Sequence, residues 1–463
     1  MRKPNVVLIL VDDMGYGDFA AFNDGLSHTP TLDALMGESV CFTQQYCGSA
    51  VCNPSRAALM TGRYPHRTGS IDTLDARGLD RLALREVTMG DMFRAAGYAT
   101  GLIGKWHLGA ADPRYHPNAR GFDEFVGFRG GWWDYYDWTL DYNGSFRKSD
   151  GRYLTDVFTE EAVRFIERHS AEPFFLHLTY NAPHGPLQCP EEDVTPFAET
   201  GKFTTGVSTL YGMVKRMDQG VAGVLEALAD QGVADNTIVM FTSDNGPQFS
   251  GPGAGDMSTT RFNCGFNGCK GVVYEGGIRV PMIIRWPDGL DGDRRVDYMA
   301  HFTDWYPTLA AATGVAMPDG PAIDGWNVLP VMRGESDRVN SRRFWQWNRY
   351  SPIAECNAAM RDGEWKLVRP RIAEAMVVTA EDLAMDRATK VDPESRTDIC
   401  RDPEPEREIP PPPPPELYNI ADDPLEQHNL ADQEPERVAK MVRELENWFE
   451  EVEAERATIN DVW

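Results

Sequence analysis

Cys52 opens the segment whose residue types most directly suggest chemistry. The segment reads Cys52-Asn-Pro-Ser-Arg56, and Pro54 is typical of the first turn of a helix. Cys52 would then lie at a helix N-terminus, where the helix dipole favours negative charge, with Arg56 one turn later on the same face. This placement indicates an activated nucleophile beside a cation that stabilises an oxyanion. A buried structural cysteine at a helix start explains the same pattern equally well.

Two pairs of oxygen-bearing side chains follow buried apolar runs. Asp12 and Asp13 come after one run, and Asp244 and Asn245 come after another. Carboxylate and amide oxygens suit Ca²⁺ or Mg²⁺ better than zinc, for which His and Cys are typical ligands. One acidic pair alone is usually a cap or a solvated loop. Two pairs that meet at one edge of a sheet predict a metal site.

Four residues that carry positive charge or transfer protons occupy similar positions. Lys105 and His107 are two residues apart and share a face in an extended segment. His184 also follows an apolar run, and Lys270 precedes a glycine-rich stretch. Each is a common structural or solvated residue when taken singly. Together, near a metal held by carboxylates, they suit a tetrahedral oxyanion such as sulfate or phosphate.

Four apolar runs organise the first part of the chain, and such runs are typical of strands in a parallel sheet covered on both faces. Alternation of these runs with helical patterns indicates an α/β fold, a large and mostly parallel sheet between layers of helices. Ligands of such sheets bind at the carboxyl ends of the strands, which predicts the site there. The runs are 5–11, 98–103, 174–179 and 237–242, and the helical patterns are 91–96, 154–168 and 210–229.

The pattern changes near residue 340, which divides a predicted catalytic domain, 1–340, from a smaller C-terminal α+β domain, 341–463, with an antiparallel sheet. A charged insert at about 382–415 ends in six prolines. We predict that it is an irregular, disordered or surface-wrapping loop, and a role at the mouth of the site or in an oligomer contact stays open. The other predicted elements are a strand at 343–347, a hairpin with an Asp-Gly turn at 359–368 and a helix at 434–456.

Composition excludes several classes of protein. The 463 residues carry 71 acidic and 45 basic side chains, a net charge of −26, which disfavours nucleic acid and anionic membranes as partners. The first apolar run is too short for a secretory signal, and no run reaches the roughly 20 residues that span a bilayer. We therefore expect a cytoplasmic protein, or a periplasmic or secreted one if a signal was removed. Eight cysteines leave the pairs Cys41/Cys47 and Cys264/Cys269 open as disulfides.

Taken together, the motifs resemble those of type I, formylglycine-dependent sulfatases of the alkaline phosphatase superfamily, and the chain looks arylsulfatase-like. The Cys-x-Pro-Ser-Arg motif is highly specific, and the resemblance covers essentially the whole chain. It implies an alkaline phosphatase-like fold and an active enzyme, since no catalytic position is missing. The matching segments are 12–15, 52–56, 61–63, 104–109, 182–184, 243–246, 270–271, 275–281, 417–420, 423–426 and 429–431.

The resemblance implies a modified residue and a metal. Cys52 would be oxidised to formylglycine by the formylglycine-generating enzyme, and the hydrate of that aldehyde would be the nucleophile. One Ca²⁺ is implied, with Mg²⁺ or Mn²⁺ as alternatives. Its ligands would be Asp12, Asp13, Asp244, Asn245 and residue 52.

The resemblance also implies roles for the cationic residues. Arg56 would orient the nucleophile, and Lys105 would neutralise charge there and on the sulfate. His184 and Lys270 would bind the sulfate, and one of them would protonate the leaving oxygen. His107 would take the proton from the remaining hydroxyl and so release sulfate.

The predicted activity is that of a sulfuric ester hydrolase acting on an aryl sulfate or a sulfated carbohydrate. Trp132 and Trp133, in the aromatic segment 130–138, would form a wall for an aryl group or a sugar ring, or else a packing cluster. Three other functions compete. They are a phosphonate monoester or phosphodiester hydrolase of the same superfamily, a hydrolase that uses the Cys52 thiol, and a non-catalytic oxyanion-binding protein. A homo-oligomer stays open.

Overall fold

The structure is a computed structural model that describes residues 3–251, 253–336, 342–391 and 399–460. Its strands are β1 (Asn5–Val11), β2 (Val40–Tyr46), β3 (Ala99–Lys105), β4 (Glu124–Phe128), β5 (Thr139–Tyr142), β6 (Ser145–Lys148), β7 (Phe174–Thr179), β8 (Thr237–Ser243), β9 (Met282–Arg285), β10 (Arg294–His301), β11 (Arg342–Gln346), β12 (Ala358–Asp362), β13 (Trp365–Arg369) and β14 (Glu416–Asn419).

The helices come between and after these strands. They are α1 (Pro30–Gly37), α2 (Cys52–Thr61), α3 (Pro65–Thr68), α4 (Met89–Ala95), α5 (Leu154–His169), α6 (Glu191–Ala198), α7 (Thr205–Asp230), α8 (Glu275–Ile278), α9 (Trp305–Thr313), α10 (Leu329–Met332), α11 (Ala380–Val391) and α12 (Pro435–Arg456). Within the described ranges, no helix is both long and apolar enough to cross a membrane.

The first ten strands form one mixed sheet in the order β10-β2-β9-β8-β1-β7-β3-β4-β5-β6. The five central neighbours β8, β1, β7, β3 and β4 are parallel, while β9 runs antiparallel to both of its neighbours. All four apolar runs of the sequence are strands of this parallel centre. The predicted α/β fold with a mostly parallel sheet is therefore confirmed.

Strand β1 shows why these runs are apolar at every position. Val6, Leu8 and Leu10 pack in one core cluster, with side chains of α2, α4 and α9. The alternate residues Val7 and Ile9 pack in a second cluster, with α1, α5 and α7. Because successive side chains of a strand point to opposite faces, both faces of the sheet are covered by helices.

A second sheet contains β11, β12, β13 and β14 in that order, all antiparallel. The hairpin of β12 and β13 is confirmed, but its two turn residues are Gly363 and Glu364, because Asp362 ends β12 and pairs with Trp365. The predicted Asp-Gly turn is therefore off by one residue. Helix α12 covers this sheet, where Trp448 stacks on Phe344 with 5.1 Å between ring centroids. The predicted small antiparallel sheet is confirmed, and every one of its strands lies beyond residue 340.

The prediction of an irregular loop for the charged insert was wrong for its first part. Residues Ala380–Val391 form helix α11, while 392–398 lie outside the described residues. The proline run 410–415 has no regular secondary structure and is mostly exposed. Polar contacts rather than an apolar stripe hold the helix, since Asp382 pairs with Arg77 at 2.8 Å. A helix that buries charged side chains lacks the periodicity that sequence reading depends on.

All eight cysteines lie in the described residues, and each is free. Neither of the two possible disulfides is therefore present.

Candidate active site

The acidic residues meet because β1 and β8 are adjacent parallel strands, with Val11 beside Ser243 at their carboxyl ends. Asp12, Asp13, Asp244 and Asn245 follow directly and are all buried. The Asn245 amide donates to Asp13 at 2.8 Å, which turns its own oxygen away from that carboxylate. The Asn245 amide oxygen and one oxygen of Asp12 are buried and accept no hydrogen bond. Buried oxygens without donors indicate a place for a cation.

Helix α2 brings Cys52 and Arg56 to the same point. It begins at Cys52, as predicted, and one atom each of Cys52, Asp12 and Asp244 lie within 4.8 Å of one another. The Arg56 guanidinium is 2.8 Å from Asp244 and 3.9 Å from Asp12. The Ser55 hydroxyl donates to the backbone oxygen of Asp244 at 2.5 Å, so the start of the helix is tied to the end of β8.

Two lysines neutralise the acidic pair after β1. The Lys105 ammonium lies 2.6 Å from Asp12, and the Lys270 ammonium lies 2.6 Å from Asp13. Burial raises the pKa of the Cys52 thiol, but Lys105 and Lys270 outweigh it and hold that pKa below its usual value. His184 lies 3.8 Å from the second oxygen of Asp13. The four predicted cationic residues Arg56, Lys105, Lys270 and His184 are thus together.

His107 is buried beside a carboxylate that the sequence reading missed. Its Nε2 is 3.2 Å from Asp75, a fully buried residue. Its backbone has φ of +55°, a strained value for a histidine, and Asn53 donates to its carbonyl at 2.6 Å. Burial lowers the pKa of His107 to about 4, against the raising effect of Asp75. A histidine with so low a pKa is neutral near pH 7.

The insert helix α11 completes this side of the site. Lys390 lies 2.6 Å from Asp386 on the same helix and 3.8 Å from Asp75. The sequence reading missed all three residues. Only the i, i+4 spacing of Asp386 and Lys390 could have suggested a helix, and Asp75 sits in a loop segment with no periodic signal.

A chamber of about 260 Å³ opens above these groups. Its lining includes Cys52, His107, His184, Lys270 and Trp132. Five of the predicted residues therefore face one enclosed space.

The two tryptophans that were predicted to form a substrate wall have different surroundings. Trp132 lines the chamber, but Trp133 is only 7% exposed and packs against Phe128 with 6.1 Å between centroids. The prediction that Trp133 contacts the substrate was therefore wrong. Its buried position fits the alternative, a packing cluster. Of the two neighbours, Trp132 therefore faces the chamber and Trp133 the core.

Comparison with known proteins agrees with this geometry. The sequence profile of the family described as "Sulfatase" matches residues 4–315, and that described as "N-sulphoglucosamine sulphohydrolase, C-terminal" matches residues 266–404. The chain belongs to the sulfatase family. The resemblance drawn from the motifs is confirmed at this level.

Relatives of this sulfatase include the N-acetylgalactosamine-6-sulfatase of Homo sapiens, 34% identical over 360 residues. That match covers 72% of this chain and 66% of the human protein, so it spans just under two thirds of that relative. The uncharacterized sulfatase YdeN of Escherichia coli (strain K12) is 32% identical over 421 residues, 79% of this chain and 73% of that protein. Among solved structures, Ps i-CgsB in complex with k-i-k-neocarrahexaose has a TM-score of 0.79 at 31% identity, covering 96% of this chain and 93% of that one.

Proposed function

We propose that this chain hydrolyses sulfate monoesters to an alcohol or phenol and sulfate. The observation that carries the proposal is the chamber itself. Cys52 lies at a helix start between a buried carboxylate cluster and the side chains of Lys105, Lys270, His184 and His107. The two lysines supply local positive charge despite the global charge of −26, and together with the two histidines they suit a tetrahedral oxyanion.

The donor set fits a hard cation. Three carboxylates and an amide oxygen converge, and two of these oxygens are buried without donors. We infer that Asp12, Asp13, Asp244 and Asn245 hold one Ca²⁺, because oxygen donors outnumber the one histidine and one cysteine, His184 and Cys52, that lie within reach of the carboxylates. When bound, the ion neutralises the carboxylates and polarises an oxygen of the sulfate.

Cys52 fits the modified nucleophile of the family. We infer that it is converted to formylglycine, whose hydrate supplies an attacking hydroxyl and a second hydroxyl through which the residue is regenerated. Arg56 is held by Asp244 and Asp12, so its guanidinium is fixed beside residue 52 and orients it. Lys105 lies behind the chamber against Asp12 and stabilises negative charge there.

Three residues handle the sulfate and its protons. His184 and Lys270 line the chamber, where they bind sulfate oxygens, and one of them gives a proton to the leaving oxygen. His107 is the base that removes a proton from residue 52, since Asp75 orients its ring and its low pKa leaves it neutral. The leaving group is an aryl or a sugar ring that contacts Trp132.

The proposal is tested with protein made together with the formylglycine-generating enzyme. Turnover of 4-nitrophenyl sulfate is compared with that of bis(4-nitrophenyl) phosphate and of 4-nitrophenyl phenylphosphonate. We expect the sulfate to have the highest kcat/KM by at least about a hundredfold. Cys52→Ala should abolish turnover, and the matched variant Cys189→Ala should retain it.

Other results of these measurements would support one of the competing functions instead. Preference for the diester or phosphonate would indicate the alternative hydrolase of the superfamily. Inactivation of the wild-type enzyme by thiol alkylation would indicate an unmodified Cys52 nucleophile. Binding of sulfate without turnover of any substrate would indicate an oxyanion-binding protein.

A further inference from the structure

The chamber opens into a second cavity that the proposed chemistry does not use. This outer cleft has a volume of about 500 Å³, and its lining includes Trp132, His184, Leu383 and Arg387. Trp132, His184 and Leu383 also line the inner chamber, so the two spaces are continuous. A sulfate group near Cys52 would therefore place the rest of its molecule in the outer cleft.

Helix α11 supplies one wall of the cleft. Leu383, Asp386, Arg387 and Lys390 have the spacing i, i+3, i+4 and i+7, which places them on one face of the helix. All four line the inner chamber, the outer cleft or both. Because the four residues lie on one helix, their backbone positions relative to one another are fixed along the wall.

The helix is firmly positioned by its other contacts. Asp382 is buried between Arg77, at 2.8 Å, and the Tyr350 hydroxyl, which donates to it at 2.7 Å. The backbone N–H of Ala76 donates to Asp386 at 3.3 Å. These bonds tie the helix to the same turn that carries Asp75, next to the chamber.

Three charged residues lie on this face of α11, and two of them pair with each other. Asp386 and Lys390 pair with each other at 2.6 Å. Arg387 is exposed and makes no hydrogen bond or ion pair with any described residue. Leu383 on the same face is 52% exposed. The wall thus offers the substrate an apolar surface and a guanidinium that pairs with none of the described residues.

We propose that the outer cleft binds the leaving group as a sugar ring between Trp132 and Leu383, and that Arg387 binds a second anionic group on it. The inference rests on the proposed function and narrows its substrate to sulfated carbohydrates that carry a further carboxylate or sulfate. Both groups present paired oxygens that a guanidinium binds through two hydrogen bonds. Arg387 is thus a specificity-determining residue, apart from the residues that perform the reaction.

The test uses matched pairs of substrates. One pair is a sulfated disaccharide with a uronic acid and its carboxyl-reduced form, and the other is a disulfated disaccharide and its monosulfated form. We expect Arg387→Gln to lower kcat/KM about tenfold on the anionic member, mainly through KM. Turnover of the neutral member and of 4-nitrophenyl sulfate should stay within about twofold. The pair that responds identifies carboxylate or sulfate as the group bound.

Two controls keep the result specific. Arg295→Gln removes another exposed arginine, at the start of β10 and so at the opposite edge of the sheet, and should change neither pair. Arg387→Lys keeps the charge and should recover part of the loss. Where a disaccharide is bound but not turned over, its Kd for Cys52→Ala protein, measured by calorimetry, should rise about tenfold when Arg387→Gln is added.

Equal effects of Arg387→Gln on both members of each pair, or no effect on either turnover or Kd, would overturn the inference. Failure of the wild-type enzyme to split 4-nitrophenyl sulfate would instead overturn the proposed function, and the inference with it. The two failures are therefore distinct, since the first leaves sulfate ester hydrolysis intact.

Discussion

At the residue scale, the buried contact between Asp75 and His107 sets the orientation of the proposed base. Asp75→Asn keeps the shape of the side chain but removes the charge that fixes the ring and its tautomer. We expect kcat for 4-nitrophenyl sulfate to fall about a hundredfold with little change in KM. Steady-state kinetics with a thermal melt as a control for folding would measure it.

A double variant separates this role from a general structural one. If Asp75 acts through His107, Asp75→Asn should add little further loss in a His107→Ala background. Independent, multiplicative losses would show that Asp75 does not act through the histidine.

The carboxylate cluster predicts a dependence on metal. Asp12, Asp13 and Asp244 are close together and repel one another, so a bound cation should favour the folded state. We expect exhaustive chelation to remove turnover and lower Tm, and Ca²⁺ to restore both. Calorimetry and turnover before and after dialysis measure the effect. Full activity in chelated protein would show that turnover needs no metal.

At the element scale, the segment after β4 places two neighbouring tryptophans in different surroundings, Trp132 at the chamber and Trp133 in the core. Trp133→Ala should cost about 3–5 kcal/mol of stability, because it empties a core position against Phe128. Trp132→Ala should leave Tm close to wild type and raise KM for ring-shaped leaving groups about threefold to tenfold. Thermal melts and kinetics on both variants check this, and a reversed pattern would contradict the assignment of Trp132 to the substrate.

The elements differ in how far the sequence could predict them. Apolar runs such as 5–11 and 237–242 predicted the central strands, because burial on both faces leaves a continuous signal. Helix α2 was predicted from Pro54 and its neighbours. Helix α11 was missed, because its inner face carries Asp382 and Asp386, whose partners are distant in sequence.

The residues of the site also differ in how far the sequence could predict them. Residues that directly follow the strands, such as Asp12 and Asp244, could be predicted because the topology of a parallel sheet brings strand ends together. Asp75 and Lys390 could not, because they lie on a loop segment and on an insert whose positions depend on tertiary contacts. Whether Trp132 or Trp133 faced the chamber also required the structure.

At the scale of the whole molecule, one buried cation connects the small sheet to the large domain. Lys366 of β13 lies 2.8 Å from Glu275 of α8 and 2.8 Å from Glu426. All three are buried, and burial raises the pKa of Glu426 to about 7 against the lowering effect of Lys366. Removal of the lysine would take away the cation beside Glu426, while Glu275 would keep Arg279 at 3.3 Å.

Lys366→Met should therefore destabilise the protein by about 3–5 kcal/mol near neutral pH. Without the lysine, the folded pKa of Glu426, already raised by burial, moves further above the unfolded value near 4.5, so the folded state binds more protons. The loss of stability in Lys366→Met, relative to wild type, should accordingly grow as pH rises from about 4 to 8. Denaturant unfolding of both proteins across that range measures it, and a deficit that shrinks as pH rises would contradict this role.

The central claim is that residue 52 is a formylglycine in the active enzyme. The most direct measurement is the mass of the proteolytic peptide that contains Cys52, taken from a preparation that turns over 4-nitrophenyl sulfate. We expect a peptide whose mass matches the aldehyde, with the sulfur lost. An alkylatable thiol at position 52 in every molecule of an active preparation would contradict it.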